Sequence, residues 1–158
     1  MNGEAPSNPA GHEVVRHGRV TWLTQPPAGV AHVAVDSHAF GALPVSVPAG
    51  DPVPHEATPG ELLAITHAMF MAAVLAEALA GAGSPADEIV VEAACTMTGQ
   101  APDRELTAVD LYAQARVPGL DATAFDQAAA TARRRSLRAA GAREDIPGEL
   151  QAVLAPLG

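Results

Sequence analysis

One long apolar segment, residues 58–83, limits what this chain can fold into more than any other feature. Thr58 is a suitable N-cap, Pro59 suits the first helical position, and Gly81 or Gly83 can end the helix. The sequence between them, ELLAITHAMFMAAVLAEALA, is apolar nearly all round. A helix of this kind is normally buried on most sides, so we expect a long central helix rather than a surface helix.

Extended segments are predicted on both sides of this helix. Before it, β-branched and apolar residues recur over residues 13–23, 30–35 and 43–47, and turn residues join the first two segments. After it, residues 89–98 and 105–117 alternate between apolar and polar side chains. Each of these two regions therefore predicts a β-hairpin.

A second helix is predicted from the N-cap Asp121 to about Ala140, and residues 148–154 form either a last strand or a short helix. The predicted order is β-β-β-α-β-β-α-β, and helices isolated between runs of strands favour the α+β class. At about 100–150 residues per domain, we expect one domain over residues 12–158. Residues 1–11 are too polar to offset the entropy of ordering, which predicts a flexible tail.

Charge and cysteine content restrict the partners and the compartment. The chain has 18 acidic and 9 basic residues, a net charge of −9, so we expect neither nucleic acid nor a membrane surface as a partner. The single cysteine, Cys95, lies in the apolar set of a predicted strand, where we expect a small buried hydrophobe. One cysteine allows no intrachain disulfide, and the N-terminus has no signal-peptide pattern, so a cytoplasmic protein is expected.

Two motifs resemble the OsmC/Ohr family. Residues 58–64, TPGELLA, lead into residues 67–70, HAMF, and are similar to the start of the family's central helix. Residues 117–121, VPGLD, followed by Phe125-Asp126, are similar to its junction between a strand and the second long helix. The resemblance covers roughly residues 13–155. It implies an OsmC-like α+β fold and an intertwined homodimer around a long buried central helix.

The resemblance also locates the family's thiol chemistry, which needs a reactive cysteine on the central helix and a resolving cysteine on the second. Counted from the motifs, the first position falls on Phe70, with Met69 and Met71 beside it, and the second falls on Ser136. None of these side chains can replace a thiolate in attack on a hydroperoxide. We therefore expect peroxidase activity by the family mechanism to be absent.

Charged residues of the family's site are only partly retained. The family's glutamate aligns with Gly60, which leaves Glu61 or Glu56 as replacements, while Arg16 resembles the family's arginine. His67 lies three residues before Phe70 on one helix face, which makes it a candidate general acid or base. A histidine in this place is more often a core residue, and both interpretations stay open.

The leading hypothesis is an OsmC-like protein that has lost the thiol site. Its dimer interface would hold a pocket for a small, mostly apolar molecule, lined by Phe70, Met69, Met71 and Ser136, with His67, Arg16, Glu61 and Glu56 around it. Non-redox acid–base chemistry, such as isomerisation, cyclisation or hydrolysis, is one use of such a pocket. A catalytically inactive ligand-binding or sensor protein is the alternative, and a hydroperoxide reductase with a relocated thiol is a second alternative. The sequence does not decide whether the protein is an enzyme.

The sequence offers two further candidate sites. Ser136 follows Arg133-Arg134-Arg135, which suits either an anion site or the solvated end of a helix. No cofactor and no metal is expected, because the spacing of the candidate ligands matches no metal-binding signature. These candidates are His12, His17, His32, His38, His55, Glu13 and Glu56.

Overall fold

The computed structural model describes residues 15–22, 30–46, 54–101 and 103–156. The predicted tail and the turn of the first hairpin lie outside these residues. The elements are β1 (Gly18–Trp22), β2 (Val30–Val35), β3 (Leu43–Ser46), α1 (Pro59–Gly81), β4 (Glu88–Thr98), β5 (Glu105–Arg116), α2 (Ala122–Ala139) and β6 (Leu150–Leu154). The predicted order and the α+β class are confirmed.

The strands form two separate three-stranded sheets. Sheet A has the order β1-β2-β3 with antiparallel neighbours, and sheet B has the order β4-β5-β6. In sheet B, β4 pairs antiparallel with β5, whereas β6 pairs with β5 in parallel. The last segment, left open as strand or helix, is therefore a strand. The first strand begins at Gly18, later than the sequence predicts, because Val15–His17 have no strand pairing.

The start of α1 follows the sequence prediction. Thr58 is the N-cap, and its side chain accepts a hydrogen bond from the backbone N–H of Glu61. The Glu61 carboxylate in turn accepts from the backbone N–H of Thr58 at 2.7 Å, which completes a capping box. The first orphan donors of the helix are thereby paired, which explains why α1 begins at Pro59.

The core lies between α1, α2 and the inner face of sheet B. α1 buries one stripe, His67, Met71, Leu75 and Leu79, whose spacing of four residues puts them on one helix face. The other apolar residues of α1 are less buried, and Ile65 is 60% exposed. Burial on most sides, as predicted from the sequence, is therefore not reached within one chain.

Sheet A is amphipathic, and its apolar face is only partly covered. Directly paired residues share a face, which places Val20, Val33 and Leu43 together, with Trp22 and Val45 beside them. Val45 is buried, but Val20 and Trp22 are exposed. An isolated bridge between Val45 and Ala57 joins sheet A to the segment before α1. Within the described residues, sheet A thus presents apolar surface that no other element packs against.

A close backbone contact fixes the parallel placement of β6. A Cβ added to Gly148, which has a φ of +142°, would lie 2.0 Å from the carbonyl oxygen of Val109. The Arg133 Nη2 donates to the carbonyl of Gly148 at 3.1 Å, and its Nε atom is buried without a partner among the described residues. Only glycine can bring the chain so close to β5 at this point.

Candidate functional site

The contact between α1 and α2 centres on Met71 and Ser136. Both residues are fully buried, and the Ser136 hydroxyl lies 3.6 Å from the Met71 sulfur and 2.9 Å from the Arg133 carbonyl. The family resemblance gives Ser136 the position of the resolving thiol and Phe70 that of the nucleophile, but the residue that faces Ser136 on α1 is Met71. A thioether and a hydroxyl occupy the contact between the two helices.

Phe70 and Met69 lie on other faces of α1. Phe70 is 39% exposed and Met69 is 66% exposed, whereas Met71 is buried. The structure therefore separates the predicted lining residues into two groups. Met71 and Ser136 meet inside one chain, and the two exposed side chains point away from that contact.

His67 lies one helical turn before Met71 in the same buried stripe. It is 2% exposed, and its Nε2 atom has no hydrogen-bond partner among the described residues. Burial lowers the pKa of His67, because the charged form loses its hydration. The imidazole is thus kept neutral near pH 7.

The two candidate glutamates have different roles. The Glu61 carboxylate binds the backbone N–H of Thr58 at 2.7 Å and its hydroxyl at 2.9 Å, so it is engaged in capping α1. The Oε2 atom of Glu56 is buried and has no hydrogen-bond partner among the described residues. Glu56 is therefore the glutamate that remains available for another group.

The register of sheet A separates Arg16 from Glu56 within one chain. Gly18 pairs with Val35, and Ser46, which neighbours the Glu56 segment, pairs with Val30. The segment of Glu56 is bridged to β3 through Val45, which pairs with Ala31, four residues of β2 from Val35; this corresponds to about 13 Å along the strand, and three strand spacings add about 14 Å sideways. Arg16 precedes Gly18 at the far end, where its Nη1 donates to the Val15 carbonyl. A site that used both Arg16 and Glu56 would have to combine two chains.

The arginines before Ser136 do not form an anion site in this structure. Arg133 donates to the backbone carbonyls of the β6 approach, and Arg135 forms an ion pair with Glu77 at 2.8 Å. Arg134 is exposed on the other side of the helix from the buried hydroxyl of Ser136. The basic run instead joins α2 to α1 and to the segment before β6.

Cys95 faces the core from β4. It is partly buried and packs against the hydrophobic cluster, as the alternating pattern predicts. Burial raises the pKa of the Cys95 thiol, since the thiolate is disfavoured in apolar surroundings. This is the opposite of the pKa change that a reactive thiol requires.

The histidines do not assemble a metal centre within the described part of the chain. There, no three side chains among His, Cys, Asp and Glu lie close enough to hold a metal ion. His38 and His55 have positive φ values of 58° and 65°, which places them in turns. His12 and Glu13 lie outside the described residues.

Sequence reasoning missed two buried polar groups. Ser46 is 4% exposed and its hydroxyl has no partner among the described residues, yet serine at a strand end carries no signal of burial. Arg133 belongs to a run of three arginines that looks solvated throughout, although its guanidinium is directed inward. Only the packing of distant segments shows either environment.

By length and composition alone, α1 is apolar enough to cross a membrane. The core helix of a soluble protein meets the same criteria, so the observation is weak evidence for a membrane span. The buried stripe of α1, which belongs to the hydrophobic core cluster, is a feature of a core helix.

Solved structures of known proteins share this architecture. No protein-family model and no curated protein matches the chain. An organic hydroperoxide resistance protein from Elizabethkingia anophelis is 17% identical, with a TM-score of 0.67 over 93% of this chain and 99% of that one. An OsmC-like protein from Mycoplasma pneumoniae is 10% identical, with a TM-score of 0.64 over 89% of this chain and 98% of that one.

A third solved structure, an organic hydroperoxide resistance protein OsmC from Legionella pneumophila, agrees. It is 11% identical, with a TM-score of 0.62 over 90% of this chain and 98% of that one. These similarities span nearly the whole of each chain, but at such low sequence identity they show a shared fold and do not show a shared chemistry. This chain has the fold of the OsmC and organic hydroperoxide resistance proteins.

Proposed function

We propose that this protein is a soluble, cytoplasmic OsmC-like homodimer that has lost the thiol peroxidase site and binds a small, mostly apolar molecule between its two copies. The observation that carries the proposal is the contact between Met71 and Ser136. At the position that the resemblance gives to the resolving thiol, this chain has the hydroxyl of Ser136 against the thioether of Met71, and the position that the resemblance gives to the nucleophile holds Phe70. None of these groups can form and recycle a sulfenic acid.

The second copy is inferred from two uncovered apolar surfaces. One is the exposed face of α1 with Ile65 and Met69, and the other is the apolar face of sheet A with Val20 and Trp22. A monomeric soluble protein rarely exposes contiguous apolar surface of this kind. Association of two copies would cover both surfaces and would bring Phe70 and Met69 into an enclosed space.

His67 supports non-redox chemistry on the buried side of α1, next to Met71, and not in the space bordered by Phe70 and Met69. Its neutral imidazole lies one turn from Met71, and its Nε2 atom is unpaired among the described residues. Such a group suits proton transfer in an isomerisation, a cyclisation or a hydrolysis. A site that only binds its ligand would use the same imidazole as a hydrogen-bond partner.

Cys95 gives little support to a relocated peroxidase. The thiol packs against the core from β4, and its pKa is raised by burial. A peroxidatic thiol needs a cation or a helix N-terminus that lowers its pKa. No such partner of Cys95 is present among the described residues.

Binding of a neutral apolar dye such as N-phenyl-1-naphthylamine tests the proposal. Wild type should bind the dye with saturable fluorescence enhancement, and Met69→Glu should weaken binding by about tenfold or more, because a carboxylate would be buried with the dye. The matched control is Val90→Glu, since Val90 is also exposed but lies on the outer face of sheet B. Absence of saturable binding, or equal losses in both variants, would refute the pocket.

A further inference from the structure

A cavity of about 250 Å³ lies beside β1 and the turn that follows β2. Its lining includes a guanidinium, a carboxylate, an imidazole and a phenyl ring, from Arg19, Asp36, His38 and Phe40. Its volume is below the range of about 300–1,000 Å³ that is typical of pockets for drug-sized ligands. The cavity therefore suits a small molecule that has both polar and apolar groups.

The cavity lies on the polar face of sheet A. Arg19 on β1 pairs with Ala34 on β2, and both residues line the cavity. The pairing continues one residue past β2, because the Asp36 N–H donates to the His17 carbonyl at 3.3 Å. Side chains alternate along extended backbone, so Arg19, Ala34 and Asp36 share one face, and Val20 lies on the other. The cavity is thus separate from the apolar face of sheet A that we assign to the second copy.

Two opposite charges border the cavity without pairing. Side chains at diagonal positions of neighbouring strands are about 7–8 Å apart, which is within reach of a long side chain. Arg19 and Asp36 nevertheless form no ion pair with each other, and neither belongs to the four ion pairs of the described residues. A simple anion would be attracted by Arg19 and repelled by Asp36. A ligand with one negative and one positive group complements both residues.

The turn beside the cavity has a backbone conformation that residues other than glycine rarely adopt. His38 and Ala42 have φ values of 58° and 54°. The His38 N–H donates to the Val35 carbonyl at 3.0 Å, and Phe40, which is 41% exposed, lies between the two positions of positive φ. Strained residues of this kind cluster at ligand sites, where the surrounding structure holds them. The turn keeps the Phe40 ring at the cavity, where it offers an apolar surface to a ligand.

We propose that this cavity binds a free amino acid with an apolar side chain. The Arg19 guanidinium binds the carboxylate, Asp36 accepts hydrogen bonds from the ammonium group, and Phe40 packs against the side chain. A free amino acid carries both charged groups on the same carbon, whereas a peptide end keeps only one of them. The site goes beyond the apolar ligand proposed above and does not depend on it, because it lies within one chain.

Calorimetric titration of the full chain with L-phenylalanine, 3-phenylpropionate and 2-phenylethylammonium tests the proposal. The second compound lacks the ammonium group, and the third lacks the carboxylate. Wild type should bind L-phenylalanine saturably. It should bind each of the other two about tenfold or more weakly, since each loses one charge-assisted interaction.

Substitutions should separate the two ends of the ligand. Arg19→Gln should weaken binding of L-phenylalanine about tenfold or more but should not weaken binding of 2-phenylethylammonium. Asp36→Asn should weaken binding of L-phenylalanine by a similar factor but should not weaken binding of 3-phenylpropionate. Both residues are exposed, so both variants should remain folded. The controls Arg134→Gln and Asp126→Asn make the same changes at exposed positions of α2 and should bind as wild type does.

Three results would overturn the proposal. The first is the absence of saturable binding of L-phenylalanine by wild type at millimolar concentrations. The second is equal affinity for L-phenylalanine and 3-phenylpropionate, which would show an anion site without a role for the ammonium group. The third is a loss of binding in the control variants equal to that in Arg19→Gln and Asp36→Asn.

Discussion

Ser136 on α2 and Met71 on α1 face each other in the core, with the serine oxygen 3.6 Å from the methionine sulfur. This contact links the two long helices at the place where the sequence resemblance puts the resolving thiol. It also shows which side of α1 faces α2. Met71 is the buried partner, and Phe70 is its exposed neighbour.

Engineered cysteine pairs test this arrangement of the helices. In a Cys95→Ser background, Met71→Cys combined with Ser136→Cys should form a disulfide on mild oxidation, because the two side chains are in direct contact. Phe70→Cys combined with Ser136→Cys should cross-link more slowly, because Phe70 points to a different face of α1. Titration of free thiols and intact-mass spectrometry measure the rate of disulfide formation in both double variants. Faster cross-linking of the Phe70 pair would mean that α1 is rotated relative to α2.

Protonation of His67 should destabilise the fold at acid pH. In the folded protein the pKa of His67 lies below its ordinary value of 6.5. At a pH between these two pKa values, His67 is protonated in the unfolded chain but not in the folded chain. The free energy of unfolding should therefore decrease as the pH falls below about 6.5, down to the folded pKa, and His67 should have no such effect above that window. His67→Gln should flatten this part of the curve of stability against pH, measured by urea unfolding.

The control for this pH effect is His32→Gln, since His32 is exposed on the polar face of sheet A. Its curve should keep the wild-type slope. A wild-type slope in His67→Gln would show that other groups cause the acid sensitivity.

Gly148→Ala should strongly destabilise the protein. The added Cβ would meet the Val109 carbonyl at 2.0 Å, at a φ that side chains rarely adopt. We expect a loss of roughly 3 kcal/mol or more in the free energy of unfolding, from overpacking and backbone strain together. Gly81→Ala, where the Cβ would meet nothing within 4 Å, is the control and should be neutral or up to about 1 kcal/mol more stable. Similar melting temperatures for the two variants would contradict the close approach.

The exposed face of α1 should control dimerisation. Ile65→Asp places a charge in the centre of that face, and sedimentation velocity should then show a monomer at concentrations where wild type is a dimer. Val90→Asp changes a similarly exposed residue on the outer face of sheet B and should stay dimeric. A wild type that sediments as a monomer at all concentrations would contradict the proposed interface.

Much of the fold could be predicted from the sequence because the signals are local. The capping box depends on Thr58 and Glu61, three residues apart, and the second hairpin depends on simple alternation. The placement of β6 could not be predicted, because a parallel strand depends on a partner far away in sequence and on the contact of Gly148 with Val109. Local patterns alone carry no information on such contacts.

The candidate site was harder to predict for a related reason. α1 is apolar on all sides, so its sequence cannot show that Met71 rather than Phe70 faces Ser136. The distance between Arg16 and Glu56 follows from the register of sheet A, which no motif specifies. The unpaired atoms of Ser46 and His67 become visible only when the residues around them are known.

Peroxide consumption is the most direct test of the central claim that this protein does not use family thiol chemistry. Cumene hydroperoxide and a dithiol reductant should be consumed no faster with wild type than with Cys95→Ser or with buffer alone. Rapid turnover by wild type that Cys95→Ser abolishes would contradict the account and return the protein to the thiol peroxidases.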